Sequence, residues 1–264
     1  KTMAKDIQTQ PANSAEVYLE SFRHFESATG QPKWLLPIRK AGLARFGEIG
    51  LPTLNHEDWR FTNTSAIAKL PFKPALTDSQ SITTEQLQDF AFAKQAGSRL
   101  VFVNGHFAAK LSSVKNLPAG VKVSSLAAAL TSDAPFLEKH LGHYAQSADN
   151  GFGALNQAFF LDGGFVHVPA GKIVEEPIQF IYVSTAKESG TAIHPRNLVV
   201  AEANSSVTIL ESYVALGGSS YFTNAVTELF AGDNARLEFV KFQDEATDAF
   251  HMAAFHGEFG RASN

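Results

Sequence analysis

Apolar residues at the start of the chain recur with the spacing of amphipathic α-helices. The pattern covers residues 13–27, 32–50 and 83–97. The first segment begins at Asn13 with Glu16 three residues later, which is the spacing of a capping box. In the second, Pro37 falls in the first turn, where its missing N–H is tolerated. The third is predicted to be capped by Thr84 and to end at Gly97.

These helices are predicted to turn their apolar faces toward a shared core. The apolar positions are Val17, Leu19, Phe22 and Phe25 in the first segment, and Leu35, Ile38, Phe46 and Ile49 in the second. Between the second and third segments, Pro71 and Pro74 favour an extended connector. We therefore interpret residues 1–97 as an N-terminal helical region with an extended connector.

The period changes from helical to strand-like in the next part of the chain. Two apolar runs flank Asn104-Gly105, a strong signal for a β-hairpin. A short strand and then a helix follow, with the helix starting at Ser124 or Ser125. A further short helix is predicted to be capped by Asp133. Residues 98–150 are interpreted as an α/β segment that leads into the rest of the chain.

An internal near-repeat is the most informative pattern after residue 160, where short runs of β-branched and aromatic residues follow one another. Val199, Val200, Val207 and Ile209 match Leu229, Phe230, Leu237 and Phe239, each pair offset by 30 positions. Small polar residues separate the strands within each copy. A fixed period of this size, with no helix between the strands, favours a β-helix or solenoid. A β-sandwich or jelly roll is the alternative.

We interpret residues 151–264 as this β-helix. Residues 249–260 look like one more turn of the coil, and no cap follows. An uncapped coil exposes backbone N–H and C=O groups at its edge. We therefore expect that the chain is a fragment truncated at the C-terminus, or that its open edge pairs with another chain. Self-association through this edge is one such pairing.

Composition and charge narrow the class of protein. Hydrophobic residues make up 44% of the 264 residues and charged residues 18%, as in a globular protein with a sizeable core. The formal net charge of −4 argues against nucleic-acid binding. No apolar run approaches the roughly 20 residues of a membrane span, and the N-terminus lacks the apolar stretch of a signal peptide. We expect a cytoplasmic protein that binds neither nucleic acid nor membrane.

The sequence shows no catalytic or metal-binding constellation. It contains no cysteine, which excludes thiolate metal sites and cysteine nucleophiles. The histidine pairs are His140 with His143 and His251 with His256, and neither has a carboxylate at ligand spacing. The glycine-bearing stretches 149–157 and 161–168 match no nucleotide-binding fingerprint and are interpreted as turns. We predict no catalytic residue and no metal ligand, and the residues that would bind a cofactor are unknown.

Four carboxylates, Glu202, Glu211, Glu228 and Glu238, lie within or beside the repeated strands. If at least two of them converged in one groove, the chain would fit a β-helical carbohydrate-active enzyme, either a lyase or a glycosidase. Alternation along the strands, which points polar side chains to solvent, is the favoured interpretation.

The segment NHEDWRFTN, residues 55–63, packs acidic, aromatic and basic side chains into nine positions. Only His56 is close enough in sequence to support chemistry with its acidic neighbours. We predict instead that Trp59 and Phe61 bury against the helices or the first turn of the coil.

Several motifs, in order, resemble the SufB/SufD family. They are HEDWRFTN (56–63), LVFVNGHFAAKLS (100–112), LPAGVKVSSLAAAL (117–130), FGALNQAFFLDGGFVHVPAGKIVEEPIQFIYVS (152–184) and NLVVAEANSSVTILESY (197–213). The short N-terminal helical region and the missing cysteines are more similar to the SufD branch than to SufB. The resemblance covers nearly the whole chain.

The resemblance implies a small N-terminal helical region followed by a right-handed parallel β-helix and a C-terminal helical region. It also implies a non-catalytic scaffold subunit of the Suf iron–sulfur cluster assembly complex, acting with SufB and the ATPase SufC. Family members are longer than this chain, and the family's SufC-docking helices have no counterpart here. No functional residue is carried over, and we expect flavin and iron–sulfur cluster only in the assembled complex.

Overall fold

A computed structural model describes residues 13–70, 73–76, 82–90, 97–145, 150–185, 189–217 and 219–264. The α-helices in these ranges are α1 (Asn13–Ala28), α2 (Leu36–Ile49), α3 (Ser65–Lys69), α4 (Thr84–Gln88), α5 (Leu126–Ser132), α6 (Ala134–His140) and α7 (Gly151–Phe159). Short 3-10 turns cover Lys33–Leu35, Glu57–Trp59 and Ala109–Leu111.

The strands of the described residues form two sheets. They are β1 (Lys73–Pro74), β2 (Arg99–Val103), β3 (His106–Phe107), β4 (Lys122–Ser125), β5 (Gly164–Val168), β6 (Ile178–Ser184), β7 (Thr191–Ile193), β8 (Arg196–Ala201), β9 (Ser206–Ala215), β10 (Tyr221–Ala231), β11 (Arg236–Asp244) and β12 (Phe250–Phe259). The first sheet has the order β1-β7-β10-β8-β5-β4, with β12 also paired to β10. The second has the order β11-β9-β6-β2-β3.

The chain passes back and forth between these sheets, and the strands that stack along the coil pair in parallel. Parallel stacking does not fit a sandwich or jelly roll, whose strands pair antiparallel. The mainly β fold class with a solenoid is therefore confirmed, and so are the preceding N-terminal helices.

The 30-residue repeat corresponds to one turn of the coil. Arg236 of β11 pairs with Ser206 of β9, 30 positions earlier, and Val226 of β10 pairs with Arg196 of β8 at the same offset. At the corners between these strands, Asn204 and Asn234 both adopt left-handed backbone conformations, with φ of 59° and 56°. Asparagine tolerates this conformation better than most residues. The repeated corners therefore keep the two turns in register.

Apolar side chains fill the inside of the coil, and two helix clusters cover the outer face of the first sheet. Helices α1, α2 and α7 pack on β7 and β10. Helices α5 and α6 pack on β5 and β8. At the crossing of α2 and α7, a Cβ atom on Gly42 would lie 2.8 Å from the carbonyl oxygen of Ala154, so the close approach requires glycine.

Several local predictions are confirmed. The hairpin turns at Asn104-Gly105, both with positive φ, and joins β2 to β3. Ser125 caps α5 through the N–H of Ala128. Pro37 lies in the first turn of α2. In the apolar stripes, Phe22, Phe25, Leu35 and Phe46 are buried, Ile38 and Ile49 are half-buried, and the side chains of Val17 and Leu19 lie outside the described set.

Other local predictions are wrong. The cap of α4 is Thr83, which forms a capping box with Gln86, and not Thr84. This helix ends at Gln88 rather than at Gly97; residues 91–96 lie outside the described residues. Asp133 precedes α6 but does not cap it, because its carboxylate binds Lys122 instead. The division at residues 97 and 150 stays a prediction.

The stretch 149–157, predicted to be a turn, contains α7, which Asn150 caps. Its Gly151 serves close packing, because a Cβ there would lie 1.9 Å from the carbonyl oxygen of Gly50. The second stretch, 161–168, contains β5. Both turn predictions are therefore wrong in part, because Gly151 and Gly153 lie in a helix and Gly164 lies in a strand.

Candidate functional site

A buried ion pair joins the coil to its helical cover. The guanidinium of Arg196 lies against the carboxylate of Glu228, with Nη2–Oε1 and Nε–Oε1 distances of 2.6 and 3.0 Å. Glu228 also accepts hydrogen bonds from the backbone N–H groups of Gly142, Tyr144 and Ala145, which follow α6. Hydrogen bonds in which one partner is charged are shorter and stronger than those between neutral groups. The pair therefore fastens this segment to the sheet.

The amide of Asn156 on α7 extends the same contact. Its Nδ2 donates to the carbonyl oxygens of Pro195 and Asn224, and its Oδ1 accepts from Arg196. All of these groups are buried. Each polar atom has a defined partner, which is the condition for burying such groups without a large loss of stability. We assign this arrangement a structural role.

Inside the coil, polarity rises from the first turn to the last. One inward column runs Leu100, Phe180, Glu211, Lys241 in register, from β2 to β11. A second column stacks the rings of Phe102, Tyr182 and Tyr213, with 4.8 Å between successive centroids. The interior of a solenoid is ordinarily apolar, because side chains there are removed from water. The change to charged side chains therefore marks the last turns as the candidate site.

Glu211 is fully buried where the column becomes charged. Its Oε1 accepts hydrogen bonds from the Tyr213 hydroxyl and from Asn197 Nδ2, both at 2.8 Å. Asn197 in turn accepts from the Tyr182 hydroxyl at 2.5 Å. Burial raises the pKa of Glu211 to about 7, although Lys241 and these hydrogen bonds oppose the shift. Glu211 therefore titrates near neutral pH.

Three more polar side chains meet at the open end of the coil. The Nζ of Lys241 lies 2.6 Å from His251 Nε2, and His251 Nδ1 lies 2.7 Å from Glu245 Oε2. Lys241 Nζ also sits 4.8 Å from the centroid of the Tyr213 ring. We call the group of Glu211, Tyr213, Lys241, Glu245 and His251 the polar corner.

Burial and charge shape the ionisation of the polar corner. Burial lowers the pKa of Lys241, while the charges of Glu211 and Glu245 oppose that shift. For Glu245, burial alone would raise the pKa, but the contact with His251 and hydrogen bonds from Gln243 and Tyr221 lower it overall. Burial and the neighbouring charges therefore act in opposite directions on both groups.

The carboxylates of the repeat do not converge. Glu211 points inward and Glu228 points outward beneath the helices, and both are buried, so their predicted exposure is wrong. Glu238 is exposed as predicted. Glu202 is partly exposed and lies 2.8 Å from His167 Nε2. Because Glu211 and Glu228 lie on opposite faces of the coil wall, they cannot share a groove, and the hypothesis of a carbohydrate-active enzyme is not supported.

The predicted histidine pairs do not act as pairs. His140 contacts the Tyr144 hydroxyl, whereas His143 is exposed and faces the carbonyl of Glu138. His251 has a carboxylate partner in Glu245, which its sequence neighbours did not indicate. Among the described residues, no group of three His, Cys, Asp or Glu side chains could hold a metal ion.

The segment of residues 55–63 forms a surface turn. Trp59 is half-buried, with its ring centroid 5.5 Å from that of Phe152, so its prediction is confirmed. The prediction for Phe61 is wrong, because its side chain is 88% exposed. The Arg60 guanidinium lies 4.7 Å from the Phe61 ring centroid and 2.8 Å from Glu57, so the charges of the motif pair on the surface.

A coil of parallel strands with a helical cover and a charged open end defines a β-helical protein of the solenoid class. Residues 12–180 match the family model described as SufBD protein N-terminal region. Residues 182–264 match the SufBD core domain of SUF system FeS cluster assembly. The chain belongs to the SufBD family of iron–sulfur cluster assembly proteins.

Curated relatives agree with the family models. The chain is 29% identical over 262 residues to the iron–sulfur cluster assembly SufBD family protein slr0076 of Synechocystis, covering 94% of this chain and 56% of that protein. It is 26% identical over 226 residues to SufD of Bacillus subtilis, covering 83% and 51% respectively. The chloroplastic SufBD family protein ABCI8 of Arabidopsis thaliana is 29% identical over 245 residues, covering 85% and 42%. The chain thus spans about half the length of these relatives.

The helices give no sign of a membrane span. Among those that the structure describes, none is both long enough and apolar enough to cross a bilayer.

Proposed function

We propose that the chain is a non-catalytic scaffold subunit of a Suf-type iron–sulfur cluster assembly complex, acting in the cytoplasm with SufB and the ATPase SufC. The observation that carries this proposal is the match of both family models, in order, along residues 12–180 and 182–264. The geometry supports it, because Glu211 and Glu228 of the repeat point to opposite faces of the coil wall and share no groove.

The open end of the coil supports a role in pairing with other chains. Within the described residues, β11 pairs with β9 and β12 pairs with β10, so both strands leave one edge free of further strands. The inward-facing rings of Phe255 and Phe259 are 45% and 62% exposed there. A free edge with exposed aromatic rings is suited to the addition of further strands. We propose that, in these 264 residues taken by themselves, this edge takes strands of a partner subunit or of a second copy.

The residues of this chain do not fit a cluster or a flavin as a resident group. Iron–sulfur clusters are held by cysteine thiolates, and the sequence contains none. The cavity beside His194 has a volume of about 10 Å³, room for about one water molecule, and is lined mainly by apolar side chains, such as Phe159 and Leu161. It is smaller than the pockets that enclose drug-sized ligands. We therefore propose that cluster and flavin are held only in the assembled complex.

Co-purification tests the scaffold role. The complete reading frame that contains this sequence is expressed with tagged SufB and with SufC from the same organism. We expect the three proteins to co-elute from an affinity column and then from a sizing column. If the untagged protein binds neither partner, the scaffold role is refuted.

Two matched variants locate the contact. Phe259→Lys places a charge at the open edge, whereas Ile173→Lys places one at an equally exposed site elsewhere on the coil. Light scattering and co-elution should change for Phe259→Lys and stay constant for Ile173→Lys. Equal behaviour of the two variants would exclude the open edge as the contact surface.

A further inference from the structure

The side chains of the polar corner form a chain of three functional groups. The carboxylate of Glu245 lies 2.7 Å from His251 Nδ1, and His251 Nε2 lies 2.6 Å from Lys241 Nζ. An imidazole held in this way between a carboxylate and an amine carries its proton on Nδ1 and offers the Nε2 lone pair. His251 is therefore placed to accept a proton from the Lys241 ammonium.

This arrangement has the geometry that activates nucleophiles in proteins. A nucleophile becomes reactive when a base lies within about 2.6–3.2 Å and a third group orients that base. Lys241, His251 and Glu245 satisfy both distances at once. Desolvation adds to the effect, since a half-buried ammonium gives up its proton more readily than an exposed one.

The groups around Lys241 also hold its position. Glu211 and Tyr213 of β9 face it from inside the coil, and the Tyr213 ring lies 4.6 Å from the His251 ring. Glu245 is fixed in turn by hydrogen bonds from Tyr221 at 3.2 Å and Gln243 at 3.1 Å. The side chains around Lys241 and Glu245 thus come from β9, β10, β11, the loop after β11 and β12. Such convergence of polar side chains in a coil interior costs stability and is typical of functional sites.

We propose that Lys241 is a reactive amine, with His251 as the proton acceptor and Glu245 as the positioning residue, and that it takes small electrophilic carbonyl compounds. In the reaction, the ammonium first gives one proton to His251 Nε2. The freed lone pair of Nζ then attacks the carbonyl carbon. With an acyl donor, the N–C bond forms, the bond from carbon to the leaving group breaks, and the second amine proton leaves to solvent. This inference does not depend on the proposed scaffold role.

Trace labelling with acetic anhydride tests the proposal on the intact chain. Acetylation of each lysine is followed by mass spectrometry between pH 6 and pH 10. Lys69 and Lys110, both exposed, serve as internal references. We expect the labelling midpoint of Lys241 to lie at lower pH than those of the references, because burial lowers the pKa of this amine.

Variants separate proton transfer from a purely structural role. His251→Gln and Glu245→Gln should each lower the labelling rate of Lys241 at pH 7.5 by about fivefold or more, since general bases contribute at least this much. The matched controls are His143→Gln and Glu238→Gln, which alter exposed side chains. Melting curves confirm that each variant is folded. An unchanged rate in folded His251→Gln, or a wild-type midpoint equal to that of the references, overturns the proposal.

A measurement on the unaltered protein covers the case in which the variants fail to fold. The chain is labelled with ¹⁵N-histidine, and the tautomer of His251 is read from its nitrogen chemical shifts. The proposal requires a protonated Nδ1 and an unprotonated Nε2. The opposite tautomer would place a proton between Nε2 and Lys241 and would overturn it.

Discussion

Replacing Glu228 by glutamine is expected to destabilise the protein strongly. The carboxylate is buried with Arg196 and accepts hydrogen bonds from three backbone N–H groups. Glutamine keeps the shape but removes the charge, so Arg196 is left as an uncompensated buried cation. Breaking a buried pair in this way costs about 3–5 kcal/mol. This is a large part of the roughly 5–15 kcal/mol by which domains are stable.

Denaturation in guanidinium chloride measures the loss in free energy of unfolding. The matched control is Glu238→Gln, which alters an exposed carboxylate of the next strand. Local protease sensitivity provides a second result, because Glu228 holds the segment Gly142–Ala145 against the sheet. Cleavage in this segment should accelerate in Glu228→Gln and not in the control.

The double variant Arg196→Met, Glu228→Met refines the interpretation. Removing both charges abolishes the unpaired cation, so the double variant should lose less free energy of unfolding than the sum of the two single variants. Part of the loss should remain, because the N–H groups of Gly142, Tyr144 and Ala145 no longer have an acceptor. A change within about 0.5 kcal/mol for Glu228→Gln would refute the whole argument, because this is the range of ordinary surface substitutions.

Two other predictions concern the interior and the surface turn. The pKa of Glu211 is raised from 4.5 to about 7 in the folded protein, so the folded state binds its proton more tightly, and stability falls as the pH rises through this range. Glu211→Gln keeps the hydrogen-bond acceptor and should remove this loss. Its free energy of unfolding should exceed that of wild type by up to about 3 kcal/mol at pH 8 and by little at pH 4. Parallel urea titrations of the two proteins check this, and an equal pH dependence would contradict it. Trp59→Ala should cost about 2 kcal/mol, below the range for fully buried aromatic residues, while Phe61→Ala should stay within about 0.5 kcal/mol. Thermal unfolding compares the two, and equal losses would show that the half-buried ring of Trp59 contributes nothing beyond the exposed one.

The coil itself could be predicted from the sequence, because matching apolar residues recur at a fixed offset. The pairs Val207 with Leu237 and Ile209 with Phe239 gave the offset of 30, and the strands pair at that offset. Helix α7 could not be predicted in the same way, because its Gly151 serves close contact with the backbone at Gly50. A glycine needed for close packing can be told from a turn glycine only when the segment packed against it is known, and that segment is distant in sequence.

Glu211 was not predicted to be buried, although the alternation along its strand carries the signal. Glu211 has the same strand parity as Ile209 and Tyr213, so alternation places it inside the coil. The same offset that matches the apolar pairs also aligns Glu211 with Lys241, a carboxylate with an ammonium. Glu228 was missed because the outer face of its strand is covered by helices, which no local pattern reveals. His251 and Glu245 meet only through the loop after β11.

The polarity gradient along the coil has a consequence for the order in which the protein folds. Solenoids gain stability by adding turns to those already formed. The turns around Leu100 and Phe180 are apolar and buried, whereas the turn that carries Lys241 and His251 is charged and only partly buried. Folding should therefore start among the apolar turns, and the charged turn should form later and open more often in the native state. Amide hydrogen exchange would show this as a rising rate from β2 to β12.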